Sequence, residues 1–284
     1  MTNPWLERRV IAFAHQGGSF EGPSSTLAAI ERALAAGATA IELDVHATSD
    51  RHIVVCHDET VDRTTNHHGA IADLTLAQLR EMDNGYWWIE GATVTPGQPD
   101  EVYVERGRAP QNRAFGIVTL EEVVERFPHV LLNLDLKRTD PDVEPYEELL
   151  ANELRRLDRL SSVIVASFHD RAVQRFRTVA PSVATSAATS ETATFYFSML
   201  EGAPSVPPAE ALQVPMTFGD VTVVDERFVQ AAHDADVAVH VWTINDADDM
   251  RQLLDLGVDG LISDRPTPLA QVLKERGCAW DGVL

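Results

Sequence analysis

Two histidines in this sequence stand at the ends of apolar, β-branched segments. His15 ends "RVIAFAH" and is followed by Gln16 and two glycines, and His57 ends "HIVVCH". An imidazole has an ordinary pKa of about 6.5, so it can accept or donate a proton at neutral pH. The glycines after His15 allow the backbone to approach a ligand closely. We therefore predict that His15 and His57 form an acid–base pair in an active site.

Charged side chains interrupt two other apolar segments. Glu42 and Asp44 are two residues apart in "TAIELDVHAT", and Asp135 and Lys137 are two residues apart in "VLLNLDLK". Side chains at this spacing on a strand point to the same face. Buried carboxylates need a cation between them, and oxygen ligands favour Mg²⁺ or Ca²⁺ over zinc. The pattern predicts one divalent cation, held by Glu42, Asp44 and Asp135 between the two histidines.

This set of residues is typical of phosphodiester cleavage. A metal ion neutralises the phosphate and polarises its oxygens. One neutral imidazole takes a proton from the nucleophile, and the other, protonated, gives one to the leaving alkoxide. Lys137 can add a second cation against the phosphate oxygens. A single His-Asp or Glu-x-Asp pair is more often a surface pair, so the prediction depends on the whole set.

The segments that carry these residues alternate with helical patterns. In "STLAAIERALAAG", Ser24 or Ser25 can cap a helix that ends at Gly37. Roughly eight such strand–helix units favour a (β/α)8 TIM barrel, whose active sites lie at the C-terminal ends of the strands. An open doubly wound sheet is the runner-up, but "HQGGSFEG" does not match its dinucleotide-binding turn. We expect one domain over residues 1–284.

Two connections do not fit a plain barrel. Too few residues separate "IELDVHAT" from "HIVVCHD" for a helical crossover, which predicts a hairpin-like excursion. The second connection, around residues 85–117, is aromatic, rich in glycine and proline, and longer than an ordinary loop. Its Tyr86, Trp87 and Trp88 either line the apolar part of a substrate, which would favour a lysophospholipid, or anchor the insertion on the barrel. The sequence does not decide between these two roles.

The composition disfavours several classes of function. The formal charge of −21 and the pI of about 4.7 oppose binding to nucleic acid and to anionic membrane surfaces. Cys56 and Cys278 provide neither a disulfide framework nor a metal-binding spacing. No segment approaches the ~20 apolar residues of a membrane span, and the N-terminus lacks a signal-peptide pattern. We expect a cytoplasmic protein with no nucleic-acid partner and no stable membrane insertion; nothing indicates its oligomeric state.

The order of motifs from about Val10 to Pro266 resembles the glycerophosphodiester phosphodiesterase family. The motifs are "AHQGG", "PSSTLAAI", "GATAIELDVHATSD", "IVVCHDETVDRTTNHHG", "LLNLDLK", "ASF", "VHVWTIND" and "GVDGLISDRP". Members of this family are metal-dependent TIM barrels. The resemblance implies that His15 and His57 are the catalytic acid–base pair. The other roles that it implies are divalent-metal ligands at Glu42, Asp44 and Asp135, a phosphate-binding cation at Lys137 and a pocket-wall residue at Trp242.

The chain departs from the family's usual pattern in several positions. Gln16 replaces an arginine, and glutamine cannot bind phosphate as a bidentate cation. The usual "PENT" is "PSST" here, which puts Ser24 and Ser25 in place of a glutamate and an asparagine. The third metal ligand is usually glutamate and is Asp135 here, as in sphingomyelinase D-like relatives. We expect catalysis to be retained, with Gln16 at the phosphate, and substrate identity and phosphate affinity to be affected.

The activity that the resemblance implies is hydrolysis of glycerophosphodiesters, such as glycerophosphocholine, to glycerol 3-phosphate and an alcohol. A lipid phosphodiesterase of lysophospholipase D or sphingomyelinase D type is one alternative on the same barrel. A non-catalytic barrel that binds a ligand is the other. The expected partner is accordingly a small-molecule phosphodiester or a lysophospholipid.

Overall fold

Short strands alternate with helices along most of the chain, as the sequence predicts. The computed structural model describes residues 3, 5–6, 10–92, 94–137 and 146–280. Within these ranges the strands are β1 (Ile11–His15), β2 (Ala40–Ala47), β3 (Ile53–Val55), β4 (Val118–Thr119), β5 (Leu131–Leu136), β6 (Val163–Ala166), β7 (Ala184–Thr185), β8 (Ala211–Pro215), β9 (Thr217–Phe218), β10 (Val221–Thr222), β11 (Ala238–Trp242) and β12 (Gly260–Ser263).

The α-helices of the same ranges lie mostly between consecutive barrel strands. They are α1 (Leu27–Ala36), α2 (Leu76–Leu79), α3 (Leu120–Arg126), α4 (Tyr146–Arg156), α5 (Asp170–Val179), α6 (Thr189–Leu200), α7 (Glu226–Asp234), α8 (Ala247–Leu256) and α9 (Pro266–Glu275). Single 3₁₀ turns occur at Ile71–Asp73, Asp100–Val102 and Arg113–Phe115. None of the described helices has the length and apolar character needed to cross a lipid bilayer.

Eight of the described strands form a barrel. Hydrogen-bonded neighbours follow the order β7-β6-β5-β2-β1-β12-β11-β8, and every pair in this series is parallel. The seam between β7 and β8 is closed by a parallel bridge between Ser186 and Ala211, and the Ala187 N–H donates to the Ala211 carbonyl at 2.8 Å. The predicted (β/α)8 barrel is therefore confirmed, and the open sheet is excluded.

The inward face of the barrel changes character along each strand. At the N-terminal ends, alternate residues such as Ile11, Leu131 and Ala238 join one buried apolar cluster inside the barrel. Two residues further along, β1 is still apolar at Phe13, but β5 and β11 turn polar at Asn133 and His240. Asn133 donates to Gln213 of β8 at 3.1 Å. Because strand side chains alternate between faces, each inward series continues to the residues at the C-terminal rim. The apolar cluster at the N-terminal ends of the strands stabilises the barrel, and the residues at the C-terminal rim are available to form a site.

The α1 helix ends where the sequence predicts but begins one or two residues later. Gly37 is left-handed, with φ 112°, and closes the helix. The residue that caps the N-terminus is Thr26, whose hydroxyl accepts from the Ala29 N–H at 3.2 Å, so the predicted Ser24 or Ser25 cap is wrong. Ser24 instead donates its hydroxyl to Gln16.

The excursion after β2 is a hairpin, as predicted. β3 pairs antiparallel with β2, with Val45 opposite Val55, and β4 pairs antiparallel with β3. The long connection that follows is a loop whose two ends meet, because Asp83 and Gly116 form an antiparallel bridge. The loop of residues 85–117, called the insertion below, therefore leaves and returns at one place beside the barrel.

Candidate active site

All the residues with predicted roles lie at the C-terminal end of the barrel or on the excursion beside it. On neighbouring strands, His15 is in register with Glu42, and Asp44 is in register with Asp135. His57 follows β3 by two residues. The remaining positions are those of Lys137, directly after β5, Gln16, directly after β1, and Trp242, the last residue of β11.

The His15 ring is oriented by a carboxylate at its Nδ1 atom. Nδ1 lies 2.6 Å from Asp264 Oδ1, while Nε2 faces Glu42 Oε2 at 3.8 Å. Burial lowers the pKa of His15, but the hydrogen bond to Asp264 and the charges of Glu42 and Asp264 outweigh it and raise the pKa to about 9. Asp264 is in turn bonded by the Ser19 hydroxyl at 2.5 Å and by the Asn245 amide at 2.8 Å.

The His57 ring is oriented in the same way by a different carboxylate. Its Nδ1 lies 2.6 Å from Asp58 Oδ1, and Arg63 donates to both oxygens of Asp58, at 2.6 and 3.0 Å. Burial raises the pKa of Asp58, but the bonds from His57 and Arg63 outweigh it and hold this pKa well below its usual range. The buried His46 ring lies 3.4 Å from the His57 carbonyl. With Nδ1 used in both histidines, Nε2 is the atom available for proton transfer.

Two of the three predicted metal ligands, Asp44 and Asp135, form ion pairs with a lysine. Lys137 Nζ lies 2.7 Å from Asp44 Oδ1 and 2.8 Å from Asp135 Oδ2. The prediction places this ammonium group against the phosphate, whereas here it joins two carboxylates. Burial lowers the pKa of Lys137, but the charges of Asp44 and Asp135 outweigh it and raise the pKa. Burial raises the pKa of Asp135 to about 6, although Lys137 opposes this shift.

The carboxylates also have the donor atoms that a divalent cation requires. As placed, no group of three His, Cys, Asp or Glu side chains in the described ranges is close enough to hold a metal ion. However, Asp44 Oδ2 and Asp135 Oδ1 are both buried without a hydrogen-bond partner. Burial and the charge of Asp44 raise the pKa of Glu42, so these groups resist being anions together. Buried carboxylate oxygens that have no hydrogen-bond partner, on side chains that repel one another, are suitable ligands for a hard cation such as Mg²⁺ or Ca²⁺.

The two sequence departures at Gln16 and Ser24 are in direct contact. The Ser24 hydroxyl donates to Gln16 Oε1 at 2.6 Å, and Gln16 Nε2 lies 3.3 Å from His15 Nε2. The Gln16 backbone N–H donates to Glu42 at 3.0 Å. Both Gln16 and Ser24 are buried. A neutral hydrogen-bonded pair thus occupies the place of the charged pair in the usual family pattern.

The aromatic residues divide between the site and the insertion. At the barrel rim, the Trp242 ring packs edge-on against Phe168, with the ring centroids 5.6 Å apart. In the insertion, Trp88 is 2% exposed and donates from Nε1 to the Ser19 carbonyl at 2.8 Å. Trp87 donates from Nε1 to the Thr65 carbonyl at 2.7 Å. These bonds favour the role of anchors for the insertion over a lining for the substrate.

The sequence prediction does not include Asp264, Asp58 and Arg63, which hold the two histidines. Asp264 directly follows the last barrel strand in "GLISDRP", so its position at a strand end is the signal that could have found it. Asp58 is adjacent to His57, and such a neighbour is more often a surface residue. Arg63 carries no local signal, because its contact depends on the path of the loop after β3.

Comparisons with known proteins identify the family and the fold of this chain. The model of the glycerophosphoryl diester phosphodiesterase family matches residues 15–267. A glycerophosphodiester phosphodiesterase of Caldanaerobacter subterraneus subsp. tengcongensis is 29% identical over 95% of this chain and 100% of that protein.

Solved structures share the same fold. The glycerophosphoryl diester phosphodiesterase domain of a Mycobacterium tuberculosis protein matches with a TM-score of 0.75 at 22% identity, over 94% of this chain and 99% of that one. A phosphodiesterase of Oleispira antarctica, in complex with the product sn-glycerol-3-phosphate, matches with a TM-score of 0.71 at 23% identity, over 94% and 97% of the two chains. This chain belongs to the glycerophosphoryl diester phosphodiesterase family.

Proposed function

We propose that this protein hydrolyses glycerophosphodiesters to sn-glycerol 3-phosphate and an alcohol, with His15 and His57 transferring the protons. The observation that carries the proposal is the pair of histidines, each bonded through Nδ1 to a carboxylate at 2.6 Å, beside a buried cluster of carboxylates. The product bound in the related Oleispira antarctica enzyme supports the same substrate class.

In the proposed reaction, one neutral imidazole accepts through Nε2 a proton of the water molecule that attacks phosphorus. The new oxygen–phosphorus bond forms as the bond from phosphorus to the alcohol oxygen breaks. The other histidine, as an imidazolium, gives its Nε2 proton to that leaving oxygen. Asp264 and Asp58 keep each ring turned with Nε2 toward the reacting atoms.

We propose that Glu42, Asp44 and Asp135 hold one divalent cation, Mg²⁺ or Ca²⁺. When bound, this ion would neutralise the phosphate and polarise its oxygens. The two orphaned carboxylate oxygens support this assignment, because a cation would satisfy both. Lys137, beside the same carboxylates, would contribute positive charge for the phosphate, and Gln16 a neutral amide donor. Trp242 would form part of the pocket wall.

The first experiment measures release of sn-glycerol 3-phosphate from glycerophosphocholine by the purified protein. We expect turnover that EDTA abolishes and Mg²⁺ or Ca²⁺ restores. His15→Ala and His57→Ala should each lower kcat by about 10²- to 10⁴-fold, the usual contribution of a general acid or base. The control is His129→Ala, an exposed histidine in the turn between α3 and β5, which should leave kcat unchanged.

Other outcomes would point to the alternatives. Full activity of His57→Ala would contradict the acid–base assignment. Release of a headgroup from a lysophospholipid, without activity on glycerophosphocholine, would indicate a phospholipase D-type lipid enzyme. A cation-dependent rise in Tm with no turnover on a panel of diesters would indicate a binding protein. The insertion aromatics do not favour the lysophospholipid, because Trp87 and Trp88 bond to protein carbonyls. A cytoplasmic location remains a prediction.

A further inference from the structure

Two adjacent tryptophans in the insertion bond to two different loops of the barrel end. Trp88 Nε1 donates to the carbonyl of Ser19, in the loop that follows His15. Trp87 Nε1 donates to the carbonyl of Thr65, in the loop that follows His57. One dipeptide thus contacts both of the segments that carry the proposed acid and base.

Each bonded residue connects closely to its histidine. On the first side, the Ser19 hydroxyl donates to Asp264, and Asp264 holds His15 Nδ1. A second bond supports this side, because the Gly91 N–H donates to the Phe20 carbonyl at 2.8 Å.

On the second side, Thr65 is 1% exposed and its hydroxyl donates to the Val61 carbonyl at 2.8 Å. The same short loop contains Asp58 and Arg63, which fix the His57 ring. On the first side, the link from tryptophan to imidazole is made of partly buried hydrogen bonds. On the second side, it passes from Thr65 along the short loop to Arg63 and Asp58, and from there by hydrogen bonds to His57.

Contacts within the insertion restrict its conformation. The Arg106 guanidinium packs on the rings of Tyr86, Trp87 and Tyr103, at 4.3, 4.6 and 3.9 Å from their centroids. Asp83 accepts the N–H groups of Gly85 and Gly107, at 3.0 and 2.6 Å. Because the insertion is held by these contacts and bonds to the loops after His15 and His57, it restricts how far the two loops can move relative to each other.

We propose that Trp87 and Trp88 are positioning residues, whose indole N–H groups set the relative placement of His15 and His57. The inference rests on the proposed roles of the two histidines. A misplacement of a catalytic group by 1 Å can lower a rate by about 100-fold, so small loop shifts matter. Neither tryptophan need touch the substrate for this effect.

The test uses Trp87→Phe and Trp88→Phe, which keep an aromatic ring and remove only the N–H donor and part of the ring. The matched control is Trp280→Phe, because Trp280 Nε1 also donates to a backbone carbonyl, that of Val10 at 3.0 Å, beside the N-terminal end of β1. We expect Trp87→Phe and Trp88→Phe to lower kcat by about 10-fold with KM within about twofold. Trp280→Phe should leave kcat unchanged, with a similar loss in Tm.

A second measurement, amide hydrogen exchange, does not depend on activity. Trp88→Phe should speed exchange in residues 16–22, Trp87→Phe should speed it in residues 58–68, and Trp280→Phe should change neither. The inference is overturned if both segments exchange in the tryptophan variants as they do in Trp280→Phe, or if kcat matches that control. A wild-type protein without turnover would refute the proposed function, while the exchange pattern would still decide whether the tryptophans fix these loops.

Discussion

Each of the two histidines of the site is held by a carboxylate at Nδ1, but the charges around the two carboxylates differ. Asp58 shares its charge between His57 and the guanidinium of Arg63. Within the described ranges, the donors to Asp264 besides His15 are the neutral side chains of Ser19 and Asn245. The charge of Asp264 therefore acts on His15 without a competing cation, and this contributes to the raised pKa of that ring.

Asp264→Asn should separate the orienting role of this carboxylate from its charge. We expect kcat on glycerophosphocholine to fall by about 10- to 100-fold, because an amide fixes the imidazolium less well than a carboxylate. The pKa of His15 should fall as well, since the group that raises it is neutralised. The limb of the kcat/KM pH profile that belongs to His15 should thus move to lower pH, at constant saturating metal.

The chain contains a matched control for this substitution. Asp259 also accepts a histidine proton, from His233 Nε2 at 2.8 Å, but it lies directly before β12, at the end of that strand opposite to Asp264. Asp259→Asn should leave both kcat and the pH profile unchanged. An unshifted profile in Asp264→Asn would show that Asp264 does not set the protonation of His15.

At the scale of elements, the sequence predicts the barrel well because the barrel depends on local patterns. Residue types and spacing alone predict the strand that carries Asp135. They also predict the hairpin-like excursion that leads to His57. The strand-end position of Asp264 is visible in the sequence, but its bond to His15, 249 residues away in the chain, is not, because residue types and spacing do not show which side chains pair at the rim. The same limit applies to Trp88 and Ser19, which meet only after the insertion folds back on the barrel.

Local patterns also fail where neighbouring residues compete for one role. Ser24, Ser25 and Thr26 can each cap a helix, and the general preference for serine over threonine favours the two serines that the sequence analysis predicts. The hydrogen bond from Ser24 to Gln16 removes one candidate, and the left-handed backbone of Ser25, with φ 60°, removes another. The cap is thus decided by the contacts of the site and not by helix propensity. For the same reason the bond from Lys137 to both Asp44 and Asp135 depends on the register of β2 and β5.

The loop after β3 should depend on Asp58 for its stability. Asp58→Asn removes charge-assisted bonds to His57 and Arg63 and should lower the free energy of unfolding by about 2 kcal/mol at neutral pH. The pKa of Asp58 in the folded protein lies below its ordinary value of 3.8. The difference in free energy of unfolding between the wild type and Asp58→Asn is therefore present above pH 3.8. This difference should shrink as the pH falls below 3.8. Urea unfolding from about pH 7 to about pH 3 would measure it.

Asp62→Asn is the control for the same loop, since Asp62 pairs with the exposed His68 on its outer side. It should leave the free energy of unfolding unchanged at neutral pH. An equal loss in both variants, or a difference for Asp58→Asn that does not begin to shrink below pH 3.8, would show that the Asp58 carboxylate is not the source of the stabilisation.

The net charge of the whole molecule opposes the approach of anionic diesters to the proposed site. The net charge of −21 creates a negative potential around the barrel. The cations near the site, Lys137 and Arg63, are each paired with carboxylates. At low ionic strength the Debye length is about 30 Å, so an approaching anion senses the charge of the entire protein. At about 0.2 M salt only the groups close to the site act on it.

The rate with an anionic diester should therefore rise with salt. We expect kcat/KM for glycerophosphoglycerol, which carries one net negative charge, to increase by about 2- to 5-fold between about 0.02 and 0.2 M NaCl at saturating metal. Glycerophosphocholine has no net charge and should show little change, which controls for effects of salt on the chemical step. A fall in kcat/KM for the anionic substrate alone would mean that a bound cation and Lys137 dominate the field. The net charge of the protein would then have no part in substrate selection.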